Sequence, residues 1–203
     1  RARNLGRLGW CYYLLGDYER ALQVLPEAEA LMRELDLAGD HWIVLQNQGR
    51  TLQGLGDHAR AGQSYARAAA IAESLENREG SAQALADIQA ARAALAFERG
   101  NYSEATFRAE EALRIQAAHQ LPTERQRTLL LLGEIWERRE EWSQAARFYN
   151  QVIGLSTAES DPVWGAYAGL ARLHARAHRP AEAEAAYRQA FALMDRSLAQ
   201  LQE

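Results

Sequence analysis

Apolar residues along this chain keep helical intervals and rarely alternate one by one. Leu5, Leu8, Gly9 and Tyr12 stand at i, i+3, i+4 and i+7, and Leu129, Leu132, Gly133 and Trp136 repeat those offsets. Tyr167, Leu170, Ala171 and His174 do the same, while Leu45, Gly49 and Leu52 keep the register. Such spacing gathers apolar groups on one side of an amphipathic helix. The small residue inside the stripe predicts a close approach by a neighbouring helix. A second stripe follows: Ala21, Leu25 and Ala28, then Ala61, Tyr65 and Ala68, then Ala105, Ala109 and Ala112. Ala145, Tyr149 and Val152, and finally Ala183, Tyr187 and Ala190, continue it. These predict the partner helices.

Between the two stripes lies a recurring turn. Leu15-Gly16-Asp17-Tyr18-Glu19-Arg20-Ala21 returns as Leu55-Gly56-Asp57-His58-Ala59-Arg60-Ala61, and again as Arg99-Gly100-Asn101-Tyr102-Ser103-Glu104-Ala105. More worn copies begin at Glu140 and His178; from Gly16 through Gly56 and Gly100 to these, the steps are 40, 44, 40 and 38 residues. The three glycines suit the left-handed residue that ends a helix. Asp17, Asp57 and Asn101 suit the N-cap of the next helix, and Pro180 suits a first turn. Gly39-Asp40, Leu121-Pro122-Thr123-Glu124 and Ser160-Asp161-Pro162 mark breaks between pairs. The prediction is an all-α chain of ten helices in five antiparallel pairs. The repeats fall near 2–38, 39–78, 79–120, 121–159 and 160–203. One pair cannot bury its own stripe, so stability must come from stacking.

Composition narrows the functional classes. The 203 residues are 48% hydrophobic and 25% charged, which fits a folded chain and not a disordered one. No stretch has the uncharged length of a membrane helix. A net charge of −4 offers no basic footprint for nucleic acid or anionic lipid. The single cysteine, Cys11, rules out an internal disulfide and a multi-cysteine zinc site, and its place beside the first stripe predicts a buried, inert thiol. All 23 basic residues are arginine, which points to a GC-rich, bacterial coding genome. The chain opens on Arg1 without a signal-peptide pattern, so we expect a cytoplasmic segment of a longer protein.

The order of a large residue, Leu-Gly, Tyr, then Gly-Asp-Tyr and spaced Ala, Tyr and Ala resembles the tetratricopeptide repeat. The likeness runs through the whole chain. It departs in the third repeat, where Arg92 and Ala93 take the Leu-Gly places and Ala96 the Tyr place, and in the fifth, which lacks the turn glycine. Repeats near 40 residues are longer than the family's usual unit and are similar to those of bacterial regulators, peptide-sensing quorum receptors and arrays preceding caspase-like CHAT domains. The resemblance implies a right-handed superhelical solenoid whose first helices line a concave groove. Opposite the buried stripes, that wall carries Arg3, Gly6, Arg7, Trp10 and Tyr13, then Ile43, Gln46, Asn47, Arg50 and Gln53. Farther along come Asp87, Phe97 and Glu98, then Glu134, Glu137 and Arg138, and finally Trp164, Gly169, Arg172 and Arg176.

The wall is sorted by charge. Its N-terminal part has Arg3, Arg7 and Arg50 beside Gln46, Asn47, Trp10 and Tyr13, with no carboxylate among them, whereas acids gather in the middle. Arginine and aromatic groups without acids suit a carboxylate or an acidic peptide segment, and Asn47 can both donate to and accept from a peptide backbone. The candidate ligand residues are Arg7, Trp10, Tyr13, Gln46, Asn47, Arg50, Phe97, Arg172 and Arg176. No catalytic set is expected, because no phosphate loop, HExxH or nucleophile elbow occurs. His174 and His178 have the i, i+4 spacing of metal ligands. They fall, however, on a packing place and a turn place, so no metal or cofactor is expected. The expected function is a non-catalytic scaffold for a protein or peptide; the alternative is a sensor segment of a larger regulator. Self-association through the terminal repeats is a further expectation, the last helix carrying Ala186, Tyr187, Ala190, Met194, Leu198 and Leu201.

Overall fold

The structure, a computed structural model, describes residues 1–75, 80–155 and 161–200. Every regular element among the described residues is a helix: α1 (Ala2–Leu14), α2 (Tyr18–Glu34), α3 (Ala38–Gly54), α4 (His58–Ser74) and α5 (Ser81–Glu98). They continue as α6 (Tyr102–Ala118), α7 (Pro122–Arg138), α8 (Trp142–Gly154), α9 (Asp161–Arg176) and α10 (Pro180–Gln200). The chain forms two compact units. Arg1–His119 holds α1 to α6 and Gln120–Glu203 holds α7 to α10. In the first, α1–α2, α3–α4 and α5–α6 are hairpins, α2 packs on α3 and α4 on α5, and α1, α3 and α5 lie side by side. In the second, α7–α8 and α9–α10 are hairpins, α8 packs on α9, and α7 lies beside α9.

All five hairpin turns use one hydrogen-bond pattern. The N–H of Gly16 donates to the carbonyl of Tyr13 and that of Asp17 to Tyr12, each at 2.9 Å. The pairs Gly56/Asp57, Gly100/Asn101, Glu140/Glu141 and His178/Arg179 repeat the two bonds. This closure needs a left-handed residue in its middle. Glycine supplies it at 16, 56 and 100, with φ between 73° and 77°, but Glu140 and His178 adopt it at 62° and 57°. Asp17, Asp57 and Asn101 cap the following helices as expected, accepting from the N–H three residues on at 3.2, 3.1 and 3.3 Å. Glu141, in the same place, makes no side-chain cap. A left-handed non-glycine residue costs about 1 kcal/mol and a missing cap about as much. The double change Glu140→Gly/Glu141→Asp is therefore expected to stabilise the chain by about 1–2 kcal/mol. An unmoved urea midpoint would show that this turn carries no strain.

The second-helix stripes pack as read. Ala21, Leu25, Ala28, Ala61, Tyr65, Ala68, Ala105, Ala109, Ala112, Ala145, Tyr149 and Val152 are all fully buried. In α10, Ala183 and Ala190 are buried, but Tyr187 remains 37% exposed. The small residues of the first helices do admit a neighbour: a Cβ on Gly9 would stand 2.4 Å from Leu25 Cδ2, and one on Gly49 2.5 Å from Tyr65 Cε1. In the third repeat, Ala93 and Ala96 are buried without leucine or tyrosine, and the half-buried Arg92 has its pKa lowered by desolvation.

Several expectations are corrected. Leu8 is 40% exposed, and Cys11 is exposed, not buried. Both stand on the face Asn4–Leu8–Cys11–Leu15, which has no helix against it among the described residues. The same face of α3 is covered, leaving Val44, Gln48 and Thr51 at 2, 6 and 0% exposure. The break before α3 falls on Asp36, left-handed at φ 51°, so Gly39 and Asp40 lie inside the helix. The physical reason is Leu37, whose side chain packs on the Met32–Val44 cluster and draws the turn forward. Gly169, placed on the open wall by spacing, is instead a packing site against Tyr149. Trp42 packs against the core of α3, α4 and α5. Ser160 and Leu201 lie outside the described residues.

Candidate ligand-binding cleft

The first unit contains a cleft of about 340 Å³ where α1, the C-terminal part of α2 and α3 meet. Arg3, Gly6, Arg7 and Trp10 line it from α1, and Met32 from α2. Asp40, Ile43, Val44, Gln46, Asn47 and Arg50 line it from α3. Helical spacing explains the assembly. Residues 3, 6, 7 and 10 share one side of α1, and 40, 43, 47 and 50 share one side of α3. Five of the nine candidate residues therefore meet in one place: Arg7, Trp10, Gln46, Asn47 and Arg50.

Tyr13 joins them indirectly. Its ring stacks on Trp10 with centroids 5.0 Å apart and tilts against Tyr18 at 5.8 Å. The guanidinium of Arg50 sits over the other part of this aromatic run, 5.4 Å from the Trp10 centroid, in cation–π range. Phe97 stands elsewhere, near the end of α5 against Tyr102. Arg172 and Arg176 belong to the second unit.

The cleft holds one acid that the wall's spacing did not include. Asp40 Oδ2 accepts from Arg3 Nε at 2.7 Å, so the cleft is not free of carboxylates, and Arg3 is neutralised. Arg7 and Arg50 have no carboxylate partner among the described residues. The floor is apolar, with Met32 and Val44 1 and 2% exposed, and Gly6 keeps it deep, since a Cβ there would reach Val44 Cγ2 at 3.1 Å. Gln46 is 4% exposed, and its Nε2 has no hydrogen-bond partner. Asp40 was legible as one turn before Ile43 on the same face. Met32 was not, because it arrives from another helix.

Two of the middle acids, Glu98 and Glu137, prove to be joints between repeats. Gln53 and Glu137 hold the same place in the second and fourth repeats. Tyr65 Oη donates to Gln53 Oε1 at 2.9 Å, and Gln53 Nε2 donates to Glu98 Oε1 of α5 at 2.7 Å. Likewise Tyr149 Oη donates to Glu137 Oε2 at 2.5 Å, while Arg172 of α9 donates to both carboxylate oxygens at 2.8 and 2.7 Å. Burial alone would raise the Glu137 pKa, but the bonds from Arg172 and Tyr149 and the charge of Arg172 bring it below its ordinary value. Arg172 is thereby committed to α7. Arg176 packs its guanidinium 4.3 Å from the centroid of Trp142.

Comparison with known proteins agrees with this architecture. Models of the tetratricopeptide repeat match residues 7–25 and 128–163. These two segments match the tetratricopeptide repeat, and the fold class of the chain is the all-α helical repeat solenoid. Among solved structures, BtubC (BKLC) from P. vanneervenii superposes with a TM-score of 0.79 at 15% identity, over 96% of this chain and 80% of that one. The apo form of RapI gives 0.78 at 12% identity, over 95% and 53%. The apo quorum sensor NprR from B. thuringiensis gives 0.71 at 18%, over 93% and 52%. This chain thus spans about half the length of the last two. No curated relative matches by sequence. Among the described residues no helix is long and apolar enough to cross a membrane.

Proposed function

We propose that the chain is a non-catalytic scaffold that binds a protein or peptide partner, with the α1–α3 cleft as its seat for a carboxylate-bearing segment. The observation that carries this reading is the convergence of Arg7, Trp10, Gln46, Asn47 and Arg50 on one cleft, with the two arginines free of carboxylate partners among the described residues. A guanidinium without an internal anion is ready for a charge-assisted hydrogen bond from outside. The seat is built on two packed helices, so little ordering entropy is lost when a ligand enters.

Screening an immobilised peptide array with the chain and with Arg50→Ala and Asn47→Ala tests the reading. Peptides retained by the native chain are expected to carry a carboxylate and to lose at least tenfold in affinity with either variant. Helicity and melting temperature should be preserved, since both side chains face the cleft. Unchanged affinity in both variants would remove the seat.

A second reading is supported by the fold likeness to RapI and to the quorum sensor NprR: a sensor segment of a longer regulator. A scaffold keeps its shape when the ligand binds, whereas a sensor shifts between states. Small-angle scattering with and without a retained peptide separates the two.

A further inference from the structure

We propose that α10 of one chain packs on α1 of a second copy in the register that α2 keeps on α3, so that the protein associates head to tail. Both faces are open. Leu8, Cys11 and Leu15 of α1 are exposed, and among the described residues α10 packs against α9 alone. Phe191 on α10 is 58% exposed, beside an open groove of about 730 Å³ that Ala175, Ala183 and Tyr187 also line. Apolar groups left in water on both helices mark contact surfaces.

The joint between α2 and α3 supplies the register. α1 corresponds to α3 through Gly9 and Gly49, and α10 to α2 through Ala183 and Ala21. Three relations of the inner joint carry over to the outer faces, and at each of them both faces change together. Gln48 Nε2 of α3 donates to Glu29 Oε2 of α2 at 3.0 Å. The same places hold Leu8 on α1 and Phe191 on α10, so a polar pair becomes an apolar one. Ile153 and Leu170, both half-buried, hold these places where α8 packs on α9, so a joint of this kind accepts carbon on both sides.

Size is the second match. Tyr18 of α2 lies against the bare backbone of Gly54, where a Cβ would stand 2.7 Å from Tyr18 Cζ. On the outer faces the large and small partners exchange: Pro180 takes the place of the tyrosine, and Leu14, 64% exposed, that of the glycine. Charge is the third. Burial lowers the pKa of His41 on α3, and Arg33 of α2 is among the cations that lower it further. Arg1 and Asp195 take those two places, so a like-charge approach becomes an opposite-charge one. Arg1 also holds Glu27 of its own chain, with its side chain still 77% exposed. Polarity, size and charge thus each change in step on α1 and α10, and this selects a second copy as the occupant. Such a joint uses two different faces, so a pair still presents one unused α1 and one unused α10, and association does not stop at two.

Sedimentation of the chain over a range of concentrations tests this with two variants, Leu8→Arg and Phe191→Arg. Both side chains are exposed in the single chain, so helicity and melting temperature of dilute samples should not change. The native chain is expected to gain mass with concentration past two copies. Either variant alone should associate at least tenfold more weakly, because the joint would bury an unpaired guanidinium. Mixed in equal amounts, the two variants are expected to form a pair that grows no further. In it the intact α10 of the Leu8→Arg chain meets the intact α1 of the Phe191→Arg chain. A native chain that stays single at millimolar concentration overturns the inference and leaves the two faces to a different partner. A Leu8→Arg chain that associates like the native one overturns it too, since α10 would then pair with itself. A mixture no heavier than its separate parts has the same consequence.

Discussion

Gly133→Val is expected to destabilise the second unit by about 3 kcal/mol, the upper end of the range for overpacking a core. A Cβ on Gly133 would stand 2.4 Å from Tyr149 Cε1, far inside contact distance. The ring cannot step away, because on its other side a Cβ on Gly169 would stand 2.4 Å from Tyr149 Cζ. Its hydroxyl is also fixed, donating to Glu137 Oε2 at 2.5 Å. Tyr149 is thus clamped between α7 and α9, and any side chain on α7 at this level forces the two helices apart. Replacing glycine inside a helix ordinarily gains up to about 1 kcal/mol with alanine, so the sign at Gly133 is a direct measure of the clamp. Gly154 is the control. Nothing lies within 4 Å of its Cβ position, and Gly154→Ala should be neutral or mildly stabilising. Urea midpoints followed by circular dichroism measure both, and a Gly133→Val midpoint equal to the native one would mean that α7 and α9 are not held by this ring.

The clamp also shows what could be read before any coordinates. Gly133 and Tyr149 are visible as a small residue and a large one at fixed offsets in neighbouring stripes, and their contact follows from pairing the stripes. The turn residues were legible for the same reason, since left-handed backbone and capping are local demands. The faces of α1 were not. Periodicity marks Leu8 and Cys11 as belonging with a stripe, but only a neighbouring helix turns such a face into a core. The candidate cleft divides along the same line. Intervals of three and four on α1 and α3 bring Arg7, Trp10, Gln46, Asn47 and Arg50 to one cleft. Met32 enters from α2, and Arg172 bridges from α9 to Glu137. Neither relation exists within a single helix, so no single-helix pattern contains it.

Two glutamates one turn apart on α7 are expected to respond to pH with opposite signs. Glu137 is stabilised as a carboxylate by Arg172 and Tyr149, so its pKa in the folded chain lies below the ordinary value. Its contribution is fully present above that ordinary value, about pH 4.3, and is lost as pH falls through the depressed folded value. Glu134 is the reverse: burial raises its pKa, with Glu137 adding to the effect, while Arg172 and Arg138 oppose it. The folded chain therefore carries a penalty from Glu134 at neutral pH, which is relieved as pH falls through the raised folded value toward the unfolded one. Glu137→Gln is expected to lose about 2 kcal/mol at neutral pH, the scale of a hydrogen-bonded ion pair that is partly exposed on the arginine side. That deficit should shrink in acid, where the native carboxylate is itself protonated. Glu134→Gln is expected to gain a few tenths of a kcal/mol at neutral pH, and the gain should vanish in acid. Denaturant midpoints of both variants, measured from neutral pH down through the carboxylate range, give two converging curves on opposite sides of the native one. Curves on the same side, or parallel to it, would mean that the Arg172–Glu137–Tyr149 network does not fix the charge of this wall.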